Sequence, residues 1–394
     1  MPTIYLIAGE TSGDVLGGRL MRAVRARLPD ARFIGIGGPE MQAQGLTSLF
    51  PMSDLSLMGI AEILPHIPKL LRRIREAAAD IRQRKPDIVI TIDAPDFCFR
   101  VLKKLGRTDC PLLHYVAPTV WAWKPGRARK IARFLDHILT LLPFEPPFFE
   151  REGLPATYVG HSAIEDDPMH ADGAGWRREQ GIGEDERLLC VLPGSRMGEV
   201  GRLGPVFAES IRRLGAEGQI DRVAIPVAPN VRNAVEELAR QWDVPTALSH
   251  DPAARYRVFA AADAALAASG TVALELALTS TPMVVAYRVS PITAWIVRRM
   301  ILTDTAVLPN LVVGEKFVPE FIQENCIVEN IVPAIGRLLD DANAREAQAA
   351  GFRRFADLMR LDGRAPSERA AEVVLDLVGR GRDSRPELTT RNER

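Results

Sequence analysis

Cysteine is scarce in this chain: Cys98, Cys110, Cys190 and Cys326 are the only four, and they form no CxxC pair and no regular framework. That argues against a zinc ribbon or a disulfide scaffold and fits a reducing compartment. An excess of either charge is also missing. Lysine plus arginine (50) balance aspartate plus glutamate (50), so there is no basic surplus to coat nucleic acid, and an anionic partner has to be met locally. No uncharged apolar run reaches the roughly 18 residues of a spanning helix. The N-terminus enters directly into the apolar run Ile4 to Ala8 without a basic leader, so no secretory signal is expected. These absences suggest a protein of the cytosol, or one held on a membrane surface. GxGxxG and GK[ST], the marks of dinucleotide-binding and Walker loops, are absent as well.

What is present is an alternation of short apolar runs with longer amphipathic segments, the pattern of βα units around parallel sheets. Candidate strands are Thr3 to Ala8, Arg32 to Ile36, Ile88 to Ile92, Leu112 to Val116 and Ile138 to Leu141, then Leu188 to Leu192, Val223 to Val227, Ala264 to Ala268 and Met283 to Ala286. A chain of 394 residues exceeds the roughly 250 to 300 residues that one core usually serves. A proline- and aromatic-rich stretch around Leu142 to Gly160 separates the two series. The expected organisation is an N-terminal domain over 1–165, a second domain over 166–365, a helix over 366–378 able to pack back on the first, and a disordered charged tail over 380–394. The fold class is α/β: two Rossmann-like, doubly wound domains facing across a cleft.

Three loops at strand ends could carry chemistry. Leu192-Pro-Gly-Ser-Arg-Met-Gly-Glu199 places Gly194 and Ser195 before a helix, where backbone N–H groups and the positive helix end suit a phosphate and Arg196 can add a charged fork. An ordinary βα turn with a surface arginine is the plainer alternative. Ser269-Gly270-Thr271 repeats the arrangement, with Glu275 one turn into the helix and able to accept from ribose hydroxyls; a capped helix with a first-turn acid is the bland reading there. Two phosphate-ready helix starts in one domain point to one nucleotide site. In the first half, Asp93 and Asp96 follow the run Val89 to Ile92. Carboxyl ends of parallel strands are where such sheets transform ligands, so Asp93 is the candidate general base, against an acid that merely caps the next segment. No histidine stands near in sequence to suggest a metal.

Residues Leu57 to Arg84 combine Met58, Ile60, Ile63, Leu64, Ile67, Leu70 and Leu71 with a basic flank that includes Arg72 and Arg73. Such a segment suits an anionic lipid surface or an acyl chain, although most amphipathic helices face their own core. Pro65 and Pro68 interrupt it where the apolar density peaks. A second basic run, Trp121 to Lys130, could meet a substrate phosphate or simply form a solvated face.

Taken together and in order, AGETSGD (8–14), GIGGPEMQAQG (35–45), LMGIAEIL (57–64), IDAPDF (92–97), HYVAPTVWAW (114–123), LPFE (142–145), GH (160–161), LPGSR (192–196), SGTVALE (269–275) and LPNLVVG (308–314) resemble the lipid-A-disaccharide synthase family over roughly residues 3–378. The resemblance implies a metal-independent GT-B glycosyltransferase without a cofactor. Its donor would be UDP-2,3-diacylglucosamine, its acceptor 2,3-diacylglucosamine 1-phosphate, and its product the β(1→6)-linked disaccharide plus UDP. It implies Asp93 as base and Arg196 as stabiliser of the leaving diphosphate. Gly194, Ser195, Glu199, Ser269, Gly270, Thr271, Glu275, Asn310 and Gln323 would form the UDP site, and Glu10, Ser12, Gly13 and Asp14 would line the acceptor side. It further implies a homodimer and a peripheral position on the inner face of the inner membrane. Cys98 stands where the family motif continues with asparagine, Ala117 where it has serine, and Glu165 where it has aspartate. The rival readings are a UDP-sugar epimerase on the same plan, a non-catalytic membrane-binding module, and a nicotinamide dehydrogenase disfavoured by the missing GxGxxG.

Overall fold

Strands covered by helices on both faces read as continuous apolar runs, because neither face meets water. The computed structural model describes residues 1–55, 67–106, 108–123, 126–360 and 362–380. In it, Thr3–Ala8 (β1), Arg32–Ile36 (β2), Thr47–Ser48 (β3), Ile88–Ile92 (β4), Leu112–Tyr115 (β5), His137–Thr140 (β6) and Ala156–Tyr158 (β7) form one sheet in the order β3-β2-β1-β4-β5-β6-β7. Leu188–Leu192 (β8), Arg222–Pro226 (β9), Thr246–Ser249 (β10), Ala264–Ala268 (β11), Met283–Tyr287 (β12) and Glu320–Ile322 (β13) form a second, ordered β10-β9-β8-β11-β12-β13. Every pairing in both sheets is parallel. The central strands β4, β8 and β11 are buried at every position.

The chain divides into two units. One is Met1–Ser162 together with the C-terminal helix Pro366–Arg380, and the other is Ala163–Arg360. In the first unit, Ile74, Ala77, Ala78 and Ile81 of the Ile67–Arg84 helix join a core on one side of the sheet. On the other side Leu16, Leu20 and Val24 pack with Ala370, Ala371 and Val374, so the end of the chain completes the core of its beginning. The C-terminal helix runs past Gly379 to Arg380, whose guanidinium pairs with Asp376 one turn earlier. The rest of the charged tail, 381–394, lies outside the described residues.

In the second unit, the Met197–Ala216 and Val328–Asp340 helices cover the sheet. Phe207, Ile211 and Leu214 interlock with Ile331 and Ile335 in one cluster. Among the described residues no helix is long and apolar enough to cross a membrane.

Candidate active site

Doubly wound sheets hold ligands beyond the carboxyl ends of the strands between which the strand order reverses. In the first unit these strands are β1 and β4, and in the second β8 and β11. All three motif loops follow one of these four strands.

Behind β1, a Cβ on Gly9 would stand 2.6 Å from Ala94 Cβ, so only glycine lets the β1 exit pass this close to the β4 exit. At the β4 exit Asp93 (φ 53°) and Ala94 (φ 41°) are both left-handed, a backbone state that costs on the order of 1–3 kcal/mol per non-glycine residue and gathers at functional positions. The bend is held by its own bonds. Asp93 N–H donates to the Tyr115 carbonyl (2.9 Å), and Ala94 N–H donates to Asp93 Oδ1 (2.9 Å). Ser12 Oγ, exposed in the first turn of the Thr11–Arg27 helix, donates to Asp93 Oδ2 at 2.7 Å. The carboxylate is thus oriented by one donor on each oxygen and remains only half-buried.

The other residues expected on the acceptor side divide by burial. Glu10 is half-buried at the N-cap of the same helix. Gly13 is buried, and a Cβ there would lie 3.0 Å from the Ile92 carbonyl. Asp14 is 1 % exposed; its Oδ1 accepts from Gly38 N–H (2.7 Å) and Met41 N–H (3.1 Å), and its Oδ2 from Glu40 N–H (2.9 Å). It caps the Pro39–Ala43 helix. Cys98 is fully buried, with Sγ 4.0 Å from the Ile7 carbonyl, so its exchange for asparagine falls in the core. Asp96 is exposed and pairs loosely with Arg127 (3.5 Å).

Glu145 of the LPFE segment is a buried acid with no cation beside it among the described residues. It accepts from Trp121 Nε1 (3.0 Å), Leu142 N–H (3.0 Å) and Leu141 N–H (3.1 Å). Burial pushes its pKa up to about 7, and the three donors pull against that rise.

In the second unit Gly194 (φ 113°) opens the turn after β8; a Cβ there would meet Glu199 Cβ at 2.6 Å. The Met197–Ala216 helix follows, with Arg196 as N-cap and Glu199 in the first turn. Glu199 Oε2 accepts from Ser195 N–H (3.1 Å), while its Oε1 receives Arg196 Nη1 (3.2 Å) and Tyr287 Oη (3.4 Å). Glu199 therefore braces the loop. Arg196 keeps a side chain 65 % exposed, so most of its donors stay available.

At the β11 exit, Ser269 Oγ donates to the Ala306 carbonyl (2.9 Å). Gly270 and Thr271 are exposed, and Thr271 is the N-cap of the Val272–Leu278 helix. Glu275 was expected at a ribose. Its carboxylate lies 3.2 Å from Arg255, whose Nη2 also donates to Tyr256 Oη (2.9 Å), and that hydroxyl reaches Asp166 at 3.3 Å. Burial raises the Glu275 pKa and the Arg255 charge opposes the rise.

Asn310 and Gln323 also turn inward. Asn310, 1 % exposed, donates to the Val318 carbonyl (3.0 Å) and accepts from Val318 N–H (3.0 Å) and Phe317 N–H (3.2 Å). Gln323 Oε1 accepts from Val289 N–H at 2.6 Å and its Nε2 donates to the Val289 carbonyl at 3.4 Å. The Asn310 amide ties its helix to the backbone of Phe317 and Val318, and the Gln323 amide joins the segment after β13 to the segment after β12. Of the expected UDP residues, Gly270 and Thr271 are exposed, as is the expected diphosphate stabiliser Arg196, and the Ser269 hydroxyl can still accept.

The sequence reading did not single out Tyr287, which reaches Glu199, or Arg255 and Tyr256, which link Glu275 to Asp166. Tyr287 gave a signal, an aromatic closing the apolar run Met283–Tyr287 at a strand's carboxyl end. Arg255 and Tyr256 belong to no motif.

Of the expected lipid-contact residues, Met58, Ile60, Ile63 and Leu64 lie outside the described residues. Ile67 and Leu71 are exposed, Arg72 is exposed beside Glu76, and Leu70 is half-buried. The Arg73 guanidinium binds Asp54 (2.6 Å) and Glu76 (2.6 Å) and lies over the Phe50 ring. Among the described residues, no three histidine, cysteine, aspartate or glutamate side chains cluster as metal ligands would.

Chemically, one unit offers an oriented carboxylate and the other an arginine at a helix start suited to a diphosphate. The sequence model described as lipid-A-disaccharide synthetase matches residues 4–374. The lipid-A-disaccharide synthase of Rhodospirillum centenum is 48% identical over 378 residues, covering 95% of this chain and 94% of that one. The glycosyltransferase structure from Rickettsia africae superposes with a TM-score of 0.55 at 12% identity, covering 95% of this chain and 98% of that chain. A putative UDP-N-acetylglucosamine 2-epimerase from Listeria monocytogenes does so at 0.61 and 15% identity, covering 95% and 94%. The structural likenesses establish the two-domain GT-B fold, which both kinds of enzyme share and which therefore does not choose between them. The sequence likeness does choose: with its carboxylate at the β4 exit and its arginine-capped helix after β8, this chain belongs to the lipid-A-disaccharide synthase family of glycosyltransferases.

Proposed function

We propose that the chain moves a diacylglucosaminyl group from UDP-2,3-diacylglucosamine to the 6-hydroxyl of 2,3-diacylglucosamine 1-phosphate. The acceptor O6 attacks the donor anomeric carbon on the face opposite UDP. As the new C1–O6 bond forms, the bond from C1 to the diphosphate oxygen breaks and UDP leaves with that electron pair. The O6 proton passes to Asp93. Inversion at C1 gives the β(1→6) linkage, and no cofactor or metal takes part.

The observation that carries this reading is the Ser12–Asp93–Ala94 arrangement, in which two donors aim one half-buried carboxylate at the carboxyl edge of its sheet. A positioned base contributes on the order of 10² to 10⁴ in rate. At the leaving group, Arg196 and the first N–H groups of the Met197–Ala216 helix meet the charge growing on the diphosphate. A preorganised donor of this kind is worth roughly 3–4 kcal/mol of transition-state stabilisation. Ile67, Leu71 and Arg72 are the exposed residues proposed to rest on an anionic membrane surface, where both lipid substrates would be met.

The test is an incubation of the purified chain with the diacylated UDP-sugar, with and without the acceptor, in the presence of EDTA. UDP and a tetraacylated disaccharide phosphate should appear together and only with acceptor. Consumption of the UDP-sugar without acceptor would favour an epimerase or hydrolase instead, and loss of turnover on chelation would remove the metal-independent step.

A further inference from the structure

Three of the exposed large apolar side chains fall within eight residues of the second unit: Trp295 (60 %), Ile301 (41 %) and Leu302 (63 %). Trp295 sits on the Pro291–Met300 helix, directly after the β12 exit, and the Arg299 guanidinium stacks 3.8 Å from its ring centre while donating to its carbonyl. Beside it lies a pocket of about 640 Å³ lined by Pro291, Ala294, Trp295, Arg299, Gln323 and Glu324. Isolated apolar residues on a surface are ordinary, but an aromatic face beside a concave wall of this size is the form of a ligand site.

From this placement we infer that the pocket seats an acyl chain of the donor sugar. The inference rests on the donor reading given above and deepens it. Its first support is continuity. Gln323, in the pocket wall, is tied by its side-chain amide to Val289, two residues beyond Tyr287, whose hydroxyl reaches Glu199 and through it the Arg196 loop. The pocket therefore opens at the same strand ends as the proposed diphosphate seat, on the β12 and β13 side of it. A donor held by its diphosphate at the β8 exit carries its acyl groups on the sugar, close to the point of attachment. The second support is charge. Among the described lining residues the one cation is Arg299 and the one acid is Glu324, so these carry no net charge to hold an anionic headgroup, while Pro291, Ala294 and Trp295 offer apolar surface. Stacking by Arg299 fixes the indole and leaves the rest of its face for methylene contact.

The experiment measures dissociation constants of the full-length chain for UDP and for long-chain and short-chain diacyl UDP-glucosamine, in the wild type and in the Trp295→Ser and Trp295→Phe variants. Because each buried methylene adds to affinity, the long chain should bind more tightly than the short one in the wild type. The Ser variant should shrink that advantage by about tenfold, the Phe variant should keep most of it, and UDP should bind all three alike. An unchanged long-to-short ratio in Trp295→Ser overturns the proposal. So does a variant that keeps the ratio but loses co-sedimentation with phosphatidylglycerol vesicles, which would make this face a membrane contact, or one that alters only the oligomeric state, which would make it an interface between copies. If UDP fails to bind the wild type, the donor reading itself falls and the acyl seat with it.

Discussion

A carboxylate becomes useful as a base when it is aimed, and Asp93 is aimed by two short bonds and a left-handed backbone. Ser12 supplies the bond to Oδ2, so Ser12→Ala should lower kcat by about tenfold with little change in the acceptor KM; steady-state kinetics at saturating donor read the split, and a pure KM effect would make Ser12 a binding group only. A second residue-scale expectation concerns Glu145. Its folded pKa of about 7 lies above its ordinary value of 4.5, so the folded state holds a proton that the unfolded chain has released between those pH values. Its contribution to stability is therefore complete below about pH 4.5, declines as pH rises through 7, and is flat above, by on the order of 3 kcal/mol in all. His114 and His137, pushed down by burial to about 3 and about 4, act in the opposite sense: each remains neutral in the fold while the unfolded chain protonates below its ordinary value, so stability rises with pH there. The opposing slopes mean that the difference in unfolding free energy between wild type and Glu145→Gln, followed from pH 4.5 to 8, isolates the glutamate. A difference that does not vary with pH would contradict the buried-acid reading.

Whether an element could be read in the sequence follows from what covers it. Nine strands announce themselves as apolar runs, and β1, β2, β4, β8 and β11 occupy the expected residues. The four that escaped notice, β3, β7, β10 and β13, are the four sheet edges. Their residues are half-buried or exposed, so water tolerates polar side chains and no apolar run marks them. The Ile67–Arg84 helix illustrates the same rule along its length: Ile74, Ala77, Ala78 and Ile81 face the core while Ile67 and Leu71 do not. If the exposed turn rests on lipid, Ile67→Ser with Leu71→Ser should weaken binding to anionic vesicles by about tenfold or more, since each side chain is worth roughly 1.5–3 kcal/mol on burial. Thermal unfolding should hardly move. Unchanged vesicle binding would leave that turn without a lipid role.

Across the whole molecule, motif order was enough to indicate the family, whereas the contacts each side chain makes were not legible. Asp14, Glu199, Glu275, Asn310 and Gln323 stand in or beside recognisable motifs, yet each is bonded to the protein's own backbone or to a neighbouring charge. A motif records which residue type a loop requires; whether that side chain faces a ligand or fastens the loop depends on burial, which short-range pattern does not encode. Parallel strand order explains what remains. Both sheets reverse their order once, and Asp93, the arginine-capped helix and the Ser269–Thr271 loop follow the strands at those reversals. The most direct test of the account is single-turnover transfer by Asp93→Asn at saturating acceptor, measured beside donor affinity. Donor binding should stay within about twofold of wild type while the transfer rate falls by about 10² to 10⁴. A variant that transfers at close to the wild-type rate would show that the proton leaves O6 by another route.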